Sequence, residues 1–346
     1  MTTVTAGEAR ALLLRLLAPY PADRALAADA LVGAQAAGMP TFGLGMAVRE
    51  LDRAGNVPGG GPGVFPGASS GSVPAGPAHA VRPGGGLDFP RWEAAAEAAP
   101  IRAEGDGAVR VLDGTGLPGF IAMAAAVRIA GEIAGDLGAG VVGARSVTGT
   151  GRLGPYVAAQ AAAGRIAILV AHAPRTVAPA GGHGPVLGTD PVAYGVPRAN
   201  GGALVADFAT SALTQAALAG HKADSTPLPD GVALGGDGRP TAEAHAVHAL
   251  LPAGGVLGTL VGLLVESLAG AALDQRDNPR GRGVVAIVLD PSRLGEGTAE
   301  RVEALCTELA AAGGHVPGAG LKRAGDAEVL EVAGGVWERL RALAVP

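Results

Sequence analysis

The sequence predicts a mixed α/β fold, in which a sheet is flanked by helices and preceded by an N-terminal helical subdomain. Three observations predict it. Apolar residues recur at helical spacing before residue 56, and short apolar runs typical of buried strands alternate with helical segments after residue 108. A stretch rich in Gly and Pro, residues 179–211, contains two of these strands. At 346 residues, the chain is long enough for two subdomains with a substantial core.

The N-terminal part, residues 1–56, is predicted to be helical. Its first helix begins with a capping box formed by Thr5 and Glu8, followed by leucines at helical spacing. A second helix is expected at 22–38 and a third at 41–54, where Gly residues follow the last periodic positions. We therefore expect three helices before the sheet begins.

The rest of the chain divides into three further segments. Residues 57–88 are rich in Gly, Pro and Ser without periodicity, which predicts a long irregular loop, either a surface insertion or a lid over the site. Residues 89–255 are expected to form an α/β domain, and C-terminal helices from about 256–346 are expected to join the N-terminal part. The apolar stretch 254–273 contains Glu266 and several glycines, so we interpret it as a buried helix rather than a membrane span.

The order of elements after residue 108 follows from the pattern of apolar residues. Strands are predicted at 109–112, 140–144, 166–170, 192–196, 203–208 and 284–289. Helices are predicted at 120–137, 153–163, 211–219, up to 272, 298–312 and after 335, with a polar connection at 221–240.

Composition excludes several classes of function. The net charge of −5 and the pI of about 5.8 give no basic patch, so nucleic acid is not an expected partner. A single cysteine, Cys306, cannot form an intrachain disulfide and fits a reducing compartment, and without an export signal or a membrane span we expect a cytoplasmic protein. The histidines show no metal-ligand spacing with acidic residues, so no metal site is predicted.

The central stretch carries a family resemblance. Gly-Thr-Asp-Pro at 188–191 precedes an apolar strand ending in Pro197-Arg198, and Asp-Phe-Ala-Thr-Ser follows at 207–211. This order resembles the malate/L-lactate dehydrogenase-type family of NAD(P)-dependent oxidoreductases, which also contains ureidoglycolate dehydrogenase and cyclic imino-acid reductases. The similarity extends along most of the chain. It implies a non-Rossmann mixed sheet, a small-molecule substrate and a homodimer.

The resemblance also implies where NAD(P) would lie, if this chain binds it. The positions that match cofactor-lining positions of the family are Gly188, Thr189, Pro191, Asp207 and Ala209. Two cofactor contacts of the family are absent, and a third segment near the cofactor is altered. A serine corresponds to Ala173, a lysine corresponds to Leu257, and a Pro-Gly pair near the pyrophosphate corresponds to Ala324-Gly325.

The groups that handle the substrate in the family are also replaced. There the third helix begins with Ser-His-Gly and carries an arginine three residues after the glycine. The histidine transfers a proton and the arginine binds a carboxylate. This chain has Phe42 and Met46 at those two positions, and Gly149 where a second family histidine lies. Neither phenylalanine nor methionine can perform these tasks.

Four polar residues are candidates for new catalytic groups: Asp190, His172, Thr41 and Arg152. Asp190 suits a substrate amine, imine or hydroxyl, and its alternative role is to form the turn before Pro191. His172 follows a buried strand and suits a general acid or base, or is a structural histidine. Arg152 either faces the ligand or is a surface residue at a helix start. The expected substrate pocket comprises Phe42, Met46, Thr148, Thr150, Tyr194 and Leu257.

Three hypotheses follow. The favoured one is a repurposed biosynthetic enzyme that works without hydride transfer, by cyclisation, isomerisation or dehydration in a reshaped apolar pocket, without a cofactor. The second is an NAD(P)H-dependent oxidoreductase that reduces an imine or a ketone. The third is a non-catalytic binding protein that keeps the frame of the family. Cofactor binding separates the first two.

Overall fold

A computed structural model describes residues 1–53, 101–278, 281–318 and 329–344 of the chain. The Gly/Pro-rich loop predicted at 57–88 and the Ala324-Gly325 pair lie outside these ranges. The division of the chain at residues 56, 88 and 255 stays a prediction.

Nine helices and ten strands lie within the described ranges. The helices are α1 (Ala6–Leu16), α2 (Arg24–Ala36), α3 (Leu44–Arg53), α4 (Gly119–Leu137), α5 (Gly154–Ala162), α6 (Gln215–Asp224), α7 (Val256–Val265), α8 (Thr298–Ala311) and α9 (Gly334–Leu343). The strands are β1 (Thr2–Thr5), β2 (Val109–Asp113), β3 (Ala139–Val147), β4 (Ile166–Ala171), β5 (Val192–Pro197), β6 (Ala203–Phe208), β7 (Ala233–Gly235), β8 (Val247–Leu250), β9 (Arg282–Leu289) and β10 (Val329–Val332).

A six-stranded mixed sheet forms the centre, in the order β2-β3-β9-β4-β5-β6. The β2–β3 pair is parallel and the other neighbours are antiparallel. This confirms the predicted mixed α/β fold. Across the sheet from β3 to β6, neighbouring strands run in opposite directions. The carboxyl ends of β3, β4 and β6 therefore lie at the same edge as the amino ends of β9 and β5. We call this edge the site end of the sheet; Val147, Arg282, Ala171, Val192 and Phe208 mark it.

Helices cover both faces of the sheet. On one face, α4 packs against β3 and β9, and α5 packs against β4, β5 and β6. On the other, α7 continues into a π-helical turn, Glu266–Ala271, which packs on β9. Val265 and Ala269 there form a buried cluster with Val170 and Val285 of the sheet. The two helical layers bury most of the sheet core and leave the site end as the place where loops meet.

The N-terminal helices pack on one another and on the C-terminal elements. The predicted capping box is present: Thr5 Oγ1 accepts from the Glu8 N–H and the Glu8 carboxylate accepts from the Thr5 N–H. Strand β1 pairs antiparallel with β10, and α9 packs against α1 and α3. In contrast, α8 packs against β5 of the central sheet. The sequence did not predict β1 or β10, because each is four residues long and needs the distant partner to form.

Three predicted elements differ from the structure. The stretch 254–273, interpreted as a buried helix, includes α7, where Leu257 and Leu260 are 68% and 59% exposed. The helix predicted at 211–219 begins only at Gln215, because the Ala212 N–H donates to Leu251 O and Thr214 caps the helix through the Ala217 N–H. The polar connection predicted at 221–240 contains the end of α6 and strand β7, which pairs with β8. No helix in the described ranges is long and apolar enough to cross a membrane.

Candidate functional site

Most of the predicted site residues lie at the site end of the sheet. The loop 147–152 follows β3, His172 follows β4, and the turn 188–191 precedes β5. Asp207 lies at the end of β6, and α3 packs over the loop after β3. Since these segments are far apart in sequence, strand pairing and helix packing bring them together. The site end therefore brings together residues from several motifs that were predicted separately.

Four predicted residues line one small cavity between the N-terminal helices and the loop after β3. Phe42, Met46, Thr150 and Arg152 are joined there by Ala30, Leu31, Phe120, Gly151 and Tyr156. The cavity measures about 10 Å³, which is room for roughly one water molecule. Its walls are mostly apolar, so the two family side chains that handled protons and carboxylates are replaced by packing surface.

Glu50 fills the space next to Gly149, where the family has its second histidine. A Cβ atom on Gly149 would lie 2.8 Å from Glu50 Oε1 and 3.5 Å from Met46 Cε. Glu50 is only 2% exposed; its Oε1 accepts from Arg53 at 3.0 Å, and its Oε2 has no partner among the described residues. Glu50 was not predicted for the site, although it lies one helical turn after Met46 on the same face of α3.

Arg282 reaches the same loop from the other side. It begins β9, and its Nη1 donates to Thr148 O at 3.0 Å. Burial lowers the pKa of the Arg282 guanidinium. The Glu50 charge raises this pKa, and the Arg53 charge lowers it further. The hydroxyl of Thr148 is buried and has no partner within the described part of the chain. Thr148 was predicted for the pocket; Arg282 was not, because a single arginine at a strand start gives no local signal.

The Asp190 carboxylate is fully buried and accepts two backbone hydrogen bonds. Oδ1 accepts from Ala173 N–H and Oδ2 from Gly188 N–H, both at 3.0 Å. Burial, followed by the nearby Glu266 charge, raises the pKa of Asp190 to about 7, although the two N–H groups oppose the shift. The carboxyl group can therefore hold a proton close to neutral pH. That property suits a proton donor.

His172 lies beside a buried carboxylate that the sequence analysis did not propose as a site residue. Its Nε2 is 3.9 Å from Glu266 Oε2, which also accepts from Arg276 Nε at 3.0 Å. Both ring nitrogens of His172 and Glu266 Oε1 lack partners among the residues described. Burial lowers the pKa of His172, three arginines add to the effect, and Glu266 opposes it. His172 is thus held neutral.

Asp207 and Arg152 form a pair at the start of α5. Asp207 Oδ2 accepts from Gly154 N–H at 2.9 Å and lies 3.6 Å from Arg152 Nε. Burial raises the pKa of Asp207, while the hydrogen bond from Gly154 and the Arg152 charge lower it. Its carboxylate therefore satisfies one of the free N–H groups at the helix start.

The remaining predicted residues occupy different surroundings. Thr41 is exposed, and its carbonyl accepts from Arg49 Nη2 at 2.7 Å. Tyr194 is half-buried on β5, opposite Ala206. Leu257 is 68% exposed on α7 and is not among the residues that line the cavity. The turn positions Gly188, Thr189 and Pro191 and the residue Ala209 lie at the site end.

The fold and these motifs match a known family. A sequence profile described as malate/L-lactate dehydrogenase matches residues 93–333. The chain belongs to the malate/L-lactate dehydrogenase family. Its members are oxidoreductase enzymes, which confirms the predicted family and the expectation of an enzyme.

Relatives within the family have two kinds of named activity. A Δ1-pyrroline-2-carboxylate/Δ1-piperideine-2-carboxylate reductase of Pseudomonas aeruginosa is 35% identical over 174 residues, 45% of this chain and 52% of that protein. An NADP⁺-dependent (2R)-3-sulfolactate dehydrogenase of Chromohalobacter salexigens is 32% identical over 265 residues, 71% of this chain and 79% of that protein. The first alignment thus spans about half of the relative's length.

A solved structure of the family has the same fold. The Δ1-piperideine-2-carboxylate reductase of Pseudomonas syringae superposes with a TM-score of 0.74 at 26% identity, covering 99% of this chain and 100% of that one. The family relationship corrects the favoured hypothesis: a reaction without hydride transfer is not supported, and the alternative of an NAD(P)H-dependent reductase fits better.

Within the described ranges, no group of three or more His, Cys, Asp or Glu side chains is placed to hold a metal ion.

Proposed function

We propose that this protein is an NAD(P)H-dependent reductase that acts on the C=N bond of a small cyclic imine. The observation that carries the proposal is the position of Asp190, whose buried carboxylate lies at the site end between the backbone N–H groups of Ala173 and Gly188. The family relationship supports hydride transfer as the reaction, and several relatives are named as reductases of cyclic imino acids.

The chemistry of the lost histidine favours an imine over a ketone. Hydride addition to a carbonyl produces an alkoxide, which must be protonated, and the family histidine at the position of Phe42 suits that task. An imine that has first accepted a proton becomes an iminium ion, and hydride addition to it gives a neutral amine. Both reductions consume one hydride and one proton, but an imine nitrogen is basic enough to take its proton before hydride transfer, so no group has to protonate a developing alkoxide. We propose that Asp190 is the source of this proton.

The residues at the site end fit a nicotinamide cofactor, with contacts that differ from those of the family. The buried hydroxyl of Thr148 has no partner in the described part of the chain, and such a group suits a carboxamide or a ribose hydroxyl. The ring of Phe208 is 46% exposed at the end of β6 and offers a stacking surface. The 10 Å³ cavity beside Phe42 is too small for a nicotinamide ring, so the ring would lie on the site end itself.

Two arginines lie in the segments that follow β3 and β4. Arg175 follows Ala173 by two residues, is 41% exposed and pairs with Asp277. Arg152 is less exposed and pairs with Asp207. We propose that Thr148, Phe208 and Arg175 contact the cofactor. When bound, NADH or NADPH supplies the hydride; the protein positions the substrate and provides the proton.

Fluorescence and calorimetric titration with NADH and NADPH, followed by assays with 1-pyrroline-2-carboxylate and with pyruvate, test the proposed function. We expect micromolar to sub-millimolar binding of one cofactor, and its oxidation with the imine faster than with the 2-oxo acid. Absence of cofactor binding up to millimolar concentration would contradict the proposal. Equal rates with both substrates would contradict the preference for imines.

We further propose that the protein is a homodimer that buries one face of α7. Five aliphatic residues there, at helical spacing, are between 49% and 68% exposed: Val256, Leu257, Leu260, Leu263 and Leu264. The opposite face, with Gly258 and Gly262, is buried against the protein. A stripe without charge is complementary to a second copy of itself across a two-fold axis. Burying it on both copies removes on the order of 1,000 Å², the area that a specific interface needs.

A further inference from the structure

We propose that Arg282 binds the carboxylate of the substrate, in place of the arginine that the family carries where this chain has Met46. This inference rests on the proposed function, because it names a residue that recognises the substrate of that same site. It also defines the substrate class more closely: a cyclic imine that carries a carboxylate next to the C=N bond.

The placement of Arg282 follows from the sheet. As the first residue of β9 it pairs with Val147, the last residue of β3, beyond an irregularity in the register. Its side chain therefore lies along the loop that follows β3, and Nη1 donates to Thr148 O at 3.0 Å. A guanidinium has five N–H donors. Within the described chain, Arg282 makes no other hydrogen bond and no ion pair, so most of its donors remain available.

The local charges favour an anion at this position. Glu50 is the carboxylate whose charge acts on Arg282, and it already accepts from Arg53 at 3.0 Å. Arg49 is a third guanidinium under the influence of the same carboxylate. One negative charge is thus shared among three positive ones. Because the Arg282 side chain is largely shielded from water, an added carboxylate would gain more here than at the surface.

Gly149 connects Arg282 with the position of the lost arginine. It follows Thr148, the partner of Arg282, and a Cβ there would touch both Glu50 and Met46. A cation that the family places on α3 is therefore replaced by one that enters from β9 on the far side of the same loop. Arginine can bind a carboxylate through two parallel hydrogen bonds, which fixes the orientation of the substrate as well as its position.

The test uses three variants of the full chain: Arg282→Met, Arg282→Lys and, as a control, Arg293→Met. Arg293 lies just beyond the opposite end of β9 and is 61% exposed. Circular dichroism and thermal unfolding establish that each variant is folded. Arg282→Lys keeps the positive charge but cannot form bidentate hydrogen bonds with a carboxylate. If Arg282→Met does not fold, Arg282→Lys is used to test carboxylate binding instead.

The first readout is binding of pyrrole-2-carboxylate, a flat analogue that cannot be reduced, measured by calorimetry with and without NADPH. We expect Arg282→Met to weaken binding by on the order of 10- to 100-fold, as expected for a charge-assisted hydrogen bond. Arg282→Lys should weaken it less, and Arg293→Met should bind like the original protein. An unchanged affinity in both Arg282 variants would overturn the inference, as would no binding by the original protein.

The second readout separates this inference from the proposed function. We expect KM for 1-pyrroline-2-carboxylate to rise in Arg282→Met, and KM for 1-pyrroline, which has no carboxylate, to stay the same. If both KM values rise equally, Arg282 does not recognise the carboxylate, although the protein is still a reductase. If the original protein reduces neither imine but Arg282 controls analogue binding, the anchor stands and the proposed reaction fails.

Discussion

The carboxylate of Asp207 accepts a hydrogen bond from the backbone N–H of Gly154, 2.9 Å away. Asp207 ends β6, whereas Gly154 begins α5, so this bond joins the sheet to the start of the helix that covers it. Arg152, 3.6 Å from the same oxygen, lies in the loop that carries Thr148 and Thr150. The bond thus sets the position of the loop at the site end.

Replacing Asp207 with Ala should lower the free energy of unfolding by about 1–2 kcal/mol, because a free N–H group at a helix start loses its acceptor. Asp207→Asn, which keeps an acceptor oxygen, should lower it less. Urea unfolding followed by circular dichroism measures both. Equal stability of Asp207→Ala and the original protein would show that water replaces the carboxylate without cost.

The activity should depend on the protonation of Asp190. With a pKa of about 7, this carboxyl group carries its proton below neutral pH and loses it above. We expect kcat/KM for a cyclic imine to fall as pH rises through about 7. In Asp190→Asn the rate should drop by on the order of 100-fold, the usual contribution of a general acid, and this limb of the profile should disappear. If Asp190→Asn showed the same pH dependence of kcat/KM as the original protein, Asp190 would be excluded as the proton donor.

Asp190 should also make stability depend on pH. Its pKa is raised from 3.8 to about 7 on folding, so between these values the folded protein binds a proton that the unfolded chain does not. The contribution of this group to stability therefore falls as pH rises through that window. Urea unfolding at several pH values, compared between the original protein and Asp190→Asn, should show a flatter dependence in the variant.

Restoring the family histidine should restore carbonyl reduction. Phe42 lines the small cavity at the start of α3, and a His there can donate a proton to a developing alkoxide. Phe42→His should therefore raise the ratio of pyruvate to imine reduction, by up to about 100-fold if the imidazole is well placed. Phe42→Leu is the matched control, since it changes the size of the side chain without adding a proton donor. A similar rise in both variants would indicate that space, rather than proton transfer, limits the reaction.

A charge on α7 should separate the subunits. Leu260 is 59% exposed in the middle of the aliphatic face, and Leu260→Glu would place two carboxylates together across a two-fold interface. Light scattering after size-exclusion chromatography should give the mass of a dimer for the original protein and of a monomer for the variant. Leu305→Glu on α8, where the leucine is 57% exposed, should remain dimeric. A monomeric original protein would refute the proposed assembly.

Much of the fold could be predicted from the sequence because it depends on local patterns. The capping box at Thr5, strand β6 and helix α8 lie within a residue of their predicted positions, since apolar periodicity and capping residues act over a few neighbours. The start of α6 could not be predicted, because the backbone of Ser211 and Ala212 pairs with residues 40 positions away.

The sequence by itself determined which groups of the family are missing, because residue identity alone shows that Phe42 carries no transferable proton and Met46 carries no charge. Only the tertiary structure decided which side chains surround these positions. Arg282 meets Thr148 across 134 residues, and Glu266 stands between His172 and Arg276, because strand pairing and helix packing bring distant segments together. The raised pKa of Asp190 is likewise a property of burial and of a neighbouring charge, and neither exists until the chain has folded.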